Sequence, residues 1–195
     1  MLACDGPVGD SGACGPRLMK CGETLIEVPL YKRIDEFFRP GRVDFVYHYG
    51  HDICCGEVLF IDGNQWWYGK LSNIWGDALA LLLAAISALP VFASADTEAR
   101  WLGEPGETRW IFHRDQDHLS IKILTFDDWT DQSPNELGKL QLRTTVLFWT
   151  FARRLIMVAD RVSQNPVGAK QRHITFAEDL SYQALRRALK ERKSQ

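Results

Sequence analysis

The densest set of chemically useful side chains is Asp127-Asp128-Trp129-Thr130-Asp131. Three carboxylates within five residues, directly after an apolar alternating stretch, are what metal-dependent hydrolases place at a strand end to hold Mg²⁺. The same spacing also suits a strand terminator whose acids are solvated. It lacks the longer ordered series of oxygens, closed by a bidentate acid, that a Ca²⁺ loop requires. Glu104, Glu107 and His113 are further acid–base candidates, although no spacing fixes their geometry. A second set, His48-x-x-His51-x-x-Cys54-Cys55, offers imidazole and thiol donors for Zn²⁺. Structural zinc closes with four ligands, often from two turns, and no second such pair occurs; buried thiols and a turn histidine are the simpler reading. The chain has no Gly-x-Ser-x-Gly elbow, no phosphate-cradling Gly-x-x-x-x-Gly-Lys, no Gly-x-Gly-x-x-Gly and no His-Glu-x-x-His. No catalytic residue and no cofactor is therefore assigned from sequence.

The elements that must position these residues follow from periodicity. Arg42 to Tyr49 alternates with the two-residue period of a half-buried strand, and Cys55 to Ile61 and Gln65 to Leu71 are β-rich segments joined by a tight Asp62-Gly63-Asn64 turn. A helix is expected from a cap at Asn73, running over Trp75 to Leu89 until Pro90, apolar almost all round and so buried. Thr108 to His113 and His118 to Phe126 form a second hairpin. From Leu137 a helix of about seven turns is expected, with Leu147, Phe151, Leu155, Val158 and Val162 inward. A last helix, Phe176 to Lys193, would use Phe176, Leu180, Ala184, Ala188 and Leu189. The order predicts an α+β fold: an antiparallel sheet of about five strands, in two hairpin or meander units, against a buried helix and two C-terminal helices.

With 46% hydrophobic and 25% charged residues in 195, the chain has a globular composition that excludes collagen-like, disordered and disulfide-dense classes. Residues 1–18, rich in Gly, Pro, Asp, Ser and Cys, read as a flexible extension, and 19–195 as a single domain. Five irregularly spaced cysteines favour a reducing cytoplasm. The apolar run Ala78 to Leu89 is shorter than the ~20 residues needed to span a bilayer, so no membrane is expected.

Charge is polarised: residues 1–136 carry 11 Lys/Arg against 21 Asp/Glu, whereas 137–195 carry 12 against 4. A total of −2 gives no general attraction for a phosphate backbone. The basic residues Arg186, Arg187, Lys190, Arg192 and Lys193 come without an aromatic stacking platform, which argues against nucleic acid. An acidic face instead suits a basic protein partner, steering its encounter. Trp66 and Trp67, adjacent on a strand, point to opposite faces, so one is available as an exposed aromatic contact.

The pattern Trp101-x-x-Glu104-Pro105-Gly106-Glu107-x-Arg109-Trp110-x-Phe112-x-Arg114-Asp115-x-Asp117-x-Leu119-x-Ile121-x-Ile123-x-x-Phe126-Asp127-Asp128, followed by a helix with Phe151-Ala152, resembles a family of small uncharacterised bacterial proteins. That resemblance implies one α+β domain and no particular activity. Compact proteins of this style, with acidic patches and aromatic spots, are also similar to immunity proteins of bacterial toxin systems. The likeness implies a basic toxin domain as partner, its phosphate-binding surface covered by carboxylates. The expectation is a non-catalytic protein-binding protein with Asp127, Asp128, Asp131, Glu104, Glu107, Trp129 and Trp66 at the contact surface. The alternative is a metal-dependent hydrolase using Asp127, Asp128 and Asp131.

Overall fold

Alternation of apolar and polar residues organises the described residues chiefly into antiparallel strands. The computed structural model describes residues 17–19, 24–26, 42–49, 55–63, 65–72, 77–89, 94–103, 106–128, 133–164, 176 and 179–193. Two short strands, β1 (Arg17–Met19) and β2 (Thr24–Ile26), pair with each other; the rest of the expected 1–18 extension lies outside the described residues. Strands β3 (Val43–Tyr49), β4 (Cys55–Asp62) and β5 (Gln65–Ser72) form a meander, its second turn carrying Gly63 at φ 55°. One face of this sheet supplies Phe45, Tyr47, Val58, Phe60, Trp67 and Leu71 to the main core, and Val46, Leu59 and Ile61 form a smaller buried cluster on the other.

Helix α1 (Ala78–Ser87) follows, capped by Asp77, whose Oδ1 accepts from the Leu79 and Ala80 amides at 2.9 and 3.1 Å. The expected cap at Asn73 lies outside the described residues. Strands β6 (Ala95–Gly103), β7 (Gly106–Asp115), β8 (His118–Phe126) and β9 (Lys139–Leu147) then build a four-stranded antiparallel sheet in that order. The β6–β7 turn needs Gly106: its φ is 106°, and a Cβ there would collide with the Phe126 carbonyl oxygen. Helices α2 (Phe148–Gln164) and α3 (Leu180–Lys193) complete the fold, α3 held on α2 by a hydrogen bond from the Tyr182 hydroxyl to Asp160.

The α+β class and the antiparallel pairing agree with the sequence, but the strands divide into sheets of three and four, with the separate β1–β2 pair, instead of one sheet of about five. Within the two larger sheets, one added strand is β6, whose small and charged residues give a weak strand signal until the ladder with β7 supplies its hydrogen bonds. The other is β9, where the helix expected from Leu137 is a strand as far as Leu147. Leu142, Thr144 and Val146 are buried while Gln141, Arg143, Thr145 and Leu147 are exposed, the period of two and not of 3.6. Leu147, expected inward, is 55% exposed. No glycine or proline separates this strand from α2, so the two periods merge in sequence. In α3 the inward stripe is Tyr182, Leu185 and Leu189, and Leu180 is 80% exposed.

The three-stranded and four-stranded sheets and helices α1, α2 and α3 contribute to one apolar core. Its junction is Trp110, fully buried, whose ring centroid lies 6.2, 5.7 and 5.3 Å from Phe45, Phe60 and Trp67 of the three-stranded sheet and 6.0 Å from Trp101 of its own. Phe151 of α2 meets Phe45, Phe60 and Phe112 at 6.1, 5.7 and 6.1 Å. A hydrogen bond from the Thr144 hydroxyl to Asp62 adds a polar tie between the sheets. No helix among the described residues is long and apolar enough to cross a membrane.

Burial raises the Asp77 carboxyl above its ordinary 3.8, against the lowering effect of its two amide donors. A folded pKa above the unfolded one means that the folded state binds this proton more tightly, so stability present in acid is lost as pH rises through the folded pKa. Asp77→Asn retains a capping oxygen without the titration. In a urea-unfolding series, wild type should therefore lose stability relative to Asp77→Asn as pH is raised from below 3.8 toward neutrality.

Candidate functional site

Alternation along β7 puts Glu107 and Arg109 on the face of the four-stranded sheet opposite Trp110 and Phe112. Glu107, expected on a contact surface, is only 3% exposed. Its Oε1 and Oε2 accept from Arg109 Nε and Nη2 at 2.8 and 3.0 Å, a two-point ion pair. Arg109 Nη1 donates to the Ser133 carbonyl at 2.9 Å and to Asn135 Oδ1 at 2.5 Å. Its guanidinium carbon lies 4.4 Å from the centre of the Phe126 ring. A side chain at Gly138 would meet the same ring, so this glycine lets the chain pass over Phe126 into β9. Arg109 thus fastens both the end of β8 and the segment from Ser133 to the sheet.

Between those fastened points runs the acidic segment. Asp127 and Asp128 are exposed and, among the described residues, make no ion pair. Trp129, Asp131 and Glu104 lie outside the described residues. Trp66 is 49% exposed but belongs to β5, opposite Ile61, so the exposed indole and the acidic pair stand on different sheets. Of the zinc candidates, His48 faces Glu57 in the β3–β4 ladder and Cys55 faces Ser72 in the β4–β5 ladder; His51 and Cys54 lie outside the described residues. Among the described residues, no three His, Cys, Asp or Glu side chains converge as a metal site.

At the other end of the same sheet, the β7–β8 turn is held by a second buried arginine. Arg114 is fully buried with its guanidinium carbon 3.6 Å from the Phe148 ring centre, and its Nε donates to the Gln116 carbonyl at 2.8 Å. Burial lowers its pKa, and the nearby Asp117 charge acts in the opposite sense. Asp117 accepts from Trp149 Nε1 at 2.9 Å and from both Nη atoms of Arg192 at 3.0 and 3.1 Å, joining the turn to α2 and α3. Beside it lies a recess of about 170 Å³ lined by Asp117, Leu147, Trp149, Thr150, Arg153 and Arg192, small for an organic cofactor.

The sequence reading missed one constellation on the exposed face. His113 Nδ1 lies 2.8 Å from Asp96 Oδ1, and its Nε2 lies 3.5 Å from Ser94 Oγ. Asp96 and His113 are direct ladder partners, a relation visible only once β6 is known to be a strand. Comparison of the chain with protein-family models, curated proteins and solved structures returns no match.

Replacing Glu107 alone leaves the buried Arg109 cation uncompensated. Glu107→Leu should destabilise by about 3–5 kcal/mol, whereas Glu107→Leu combined with Arg109→Met should cost clearly less than the two single changes added together. Urea unfolding of the four proteins checks this, and simple additivity would refute the coupling.

Proposed function

We propose that the protein is a protein-binding protein that presents the acidic segment around Asp127, Asp128 and Asp131, with Trp129, to a basic partner, in the manner of an immunity protein covering a toxin domain. The observation that carries this reading is the attachment of that segment at both ends by Arg109. With Phe126 and Ser133 both fastened to the sheet, these flanking residues need little further ordering when a partner binds, so the attraction of the acids is less offset by entropy. Two adjacent exposed acids that make no ion pair among the described residues repel each other, and a basic surface would relieve that repulsion. Glu107 belongs to this reading as the anchor of Arg109, and Trp66 as a separate aromatic contact on the other sheet. The excess of acid in residues 1–136 adds a long-range field that would speed encounter.

The test is co-expression with the product of the adjacent reading frame, followed by calorimetry at two salt concentrations. Asp127→Lys/Asp128→Lys should weaken the complex at least about tenfold, chiefly at low salt. An affinity indifferent to both substitutions and to salt would contradict the reading. So would Mg²⁺-dependent hydrolysis abolished by Asp128→Asn, which would restore the hydrolase alternative.

A further inference from the structure

We propose that Ser94 is an activated nucleophile that accepts acyl and phosphonyl groups from small activated donors, with His113 as its general base and Asp96 positioning the imidazole. The order of atoms carries the assignment. An ionised carboxylate only accepts, so the 2.8 Å contact with Asp96 Oδ1 fixes the proton on His113 Nδ1. Nε2 then turns its lone pair toward Ser94 Oγ, 3.5 Å away, a separation of the kind free proteins show before a substrate draws the pair together.

Local structure explains why these three side chains meet. Ser94 immediately precedes β6, and Asp96 sits two residues on, so both project from the same face of the strand. His113 is the β7 ladder partner of Asp96 and stands on that face as well. All three are exposed, and Lys122, Arg143 and Thr145 on the same side of the sheet are exposed too, so a small donor reaches the hydroxyl without any rearrangement. Ser120, the β8 ladder partner of His113, is bonded instead to Thr145 Oγ1 at 3.1 Å and provides an internal comparison. Asp128 lies eight residues beyond Ser120, six of them along β8, placing this site about 20 Å from the acidic segment.

With an aryl ester, Ser94 Oγ bonds to the carbonyl carbon while its proton passes to His113 Nε2. The carbonyl re-forms as the aryl–oxygen group departs and takes that proton. Water, deprotonated by the same Nε2, then cleaves the acyl-serine to a carboxylic acid and free Ser94. With a fluorophosphonate, the Oγ–P bond forms, the P–F bond breaks, and fluoride leaves with the proton. A positioned base supplies roughly 10²–10⁴-fold. On an open surface that excludes no water, the lower end of that range, about 100-fold over an ordinary serine, is the expected gain.

The experiment treats the intact protein with a fluorophosphonate probe, maps adducts by peptide mass spectrometry and follows the labelling rate. A single adduct is expected at Ser94. It should be lost in Ser94→Ala, slowed about 100-fold in His113→Gln and unchanged in Ser120→Ala. Asp96→Asn should slow labelling, and Asp96→Glu should recover part of the rate, which a merely structural carboxylate would not do. Thermal unfolding of each variant verifies that these surface changes leave the fold intact. Absence of an adduct, an adduct on another hydroxyl, or a rate indifferent to His113→Gln in folded protein would overturn the proposal. None of these readouts involves a protein partner, so the result is independent of the binding function.

Discussion

Strand β7 imposes one constraint on everything around it: side chains alternate, so Trp110 and Arg109 must leave the strand in opposite directions. Trp110 turns toward the other sheet and meets Phe45, Phe60 and Trp67 edge-on or tilted, making the strand part of a shared core. Arg109 turns the other way, where a cation is tolerable only if its donors are satisfied. Glu107, two residues back on the same face, supplies the charge, and Ser133 and Asn135 supply the remaining acceptors. The segment after the acidic residues is therefore drawn onto the sheet by the needs of one guanidinium.

The energetic value of such a pair lies less in net stability than in geometry. Desolvating two ions costs several kcal/mol each, and their mutual attraction does little more than offset that. What the arrangement secures is direction: a planar fork can satisfy Glu107 and reach the Ser133 carbonyl only in one orientation. At the opposite end of the sheet Arg114 plays a comparable part without an ion pair of its own, stacked on Phe148 and turned to the Gln116 carbonyl. Asp117 beside it links the turn to Trp149 and Arg192. The two buried arginines thus sit at opposite ends and on opposite faces of the four-stranded sheet, Arg109 on the open face and Arg114 on the core face, with Ser94, Asp96 and His113 on the open face toward the Arg114 end.

Much of this was legible in the sequence where the signal was local. Val43 to Tyr49, the Asp62-Gly63 turn and the strand from His118 to Phe126 all carry a clear two-residue period or turn chemistry, and each formed as read. The inward positions Phe151, Leu155 and Val158 of α2 were likewise legible from helical spacing. Tertiary pairing decided the rest. Ala95 to Gly103 has few large apolar residues and becomes a strand through its ladder with β7. Lys139 to Leu147 runs into α2 without a breaker, so its alternation was absorbed into the helix. Glu107 looked like a surface acid because Arg109, two residues away, gives no sign in sequence of being buried. The Ser94–His113 relation spans two strands, one of them unrecognised, and could not be found from spacing.

That Arg109 holds the segment from Ser133 to Gly138 on the sheet is tested most directly by amide hydrogen exchange at Leu137 and Gly138. Their N–H groups donate to the Pro134 and Asn135 carbonyls at 3.1 Å. Arg109→Lys keeps the charge beside Glu107 but removes the fork that reaches Ser133 and Asn135. Exchange at these two amides should become at least about tenfold faster, since two charged hydrogen bonds are lost and each is worth roughly 1.5 kcal/mol, while the amides of Trp110 and Phe112 keep their protection. Unchanged exchange at Leu137 and Gly138 in a folded Arg109→Lys protein would contradict it.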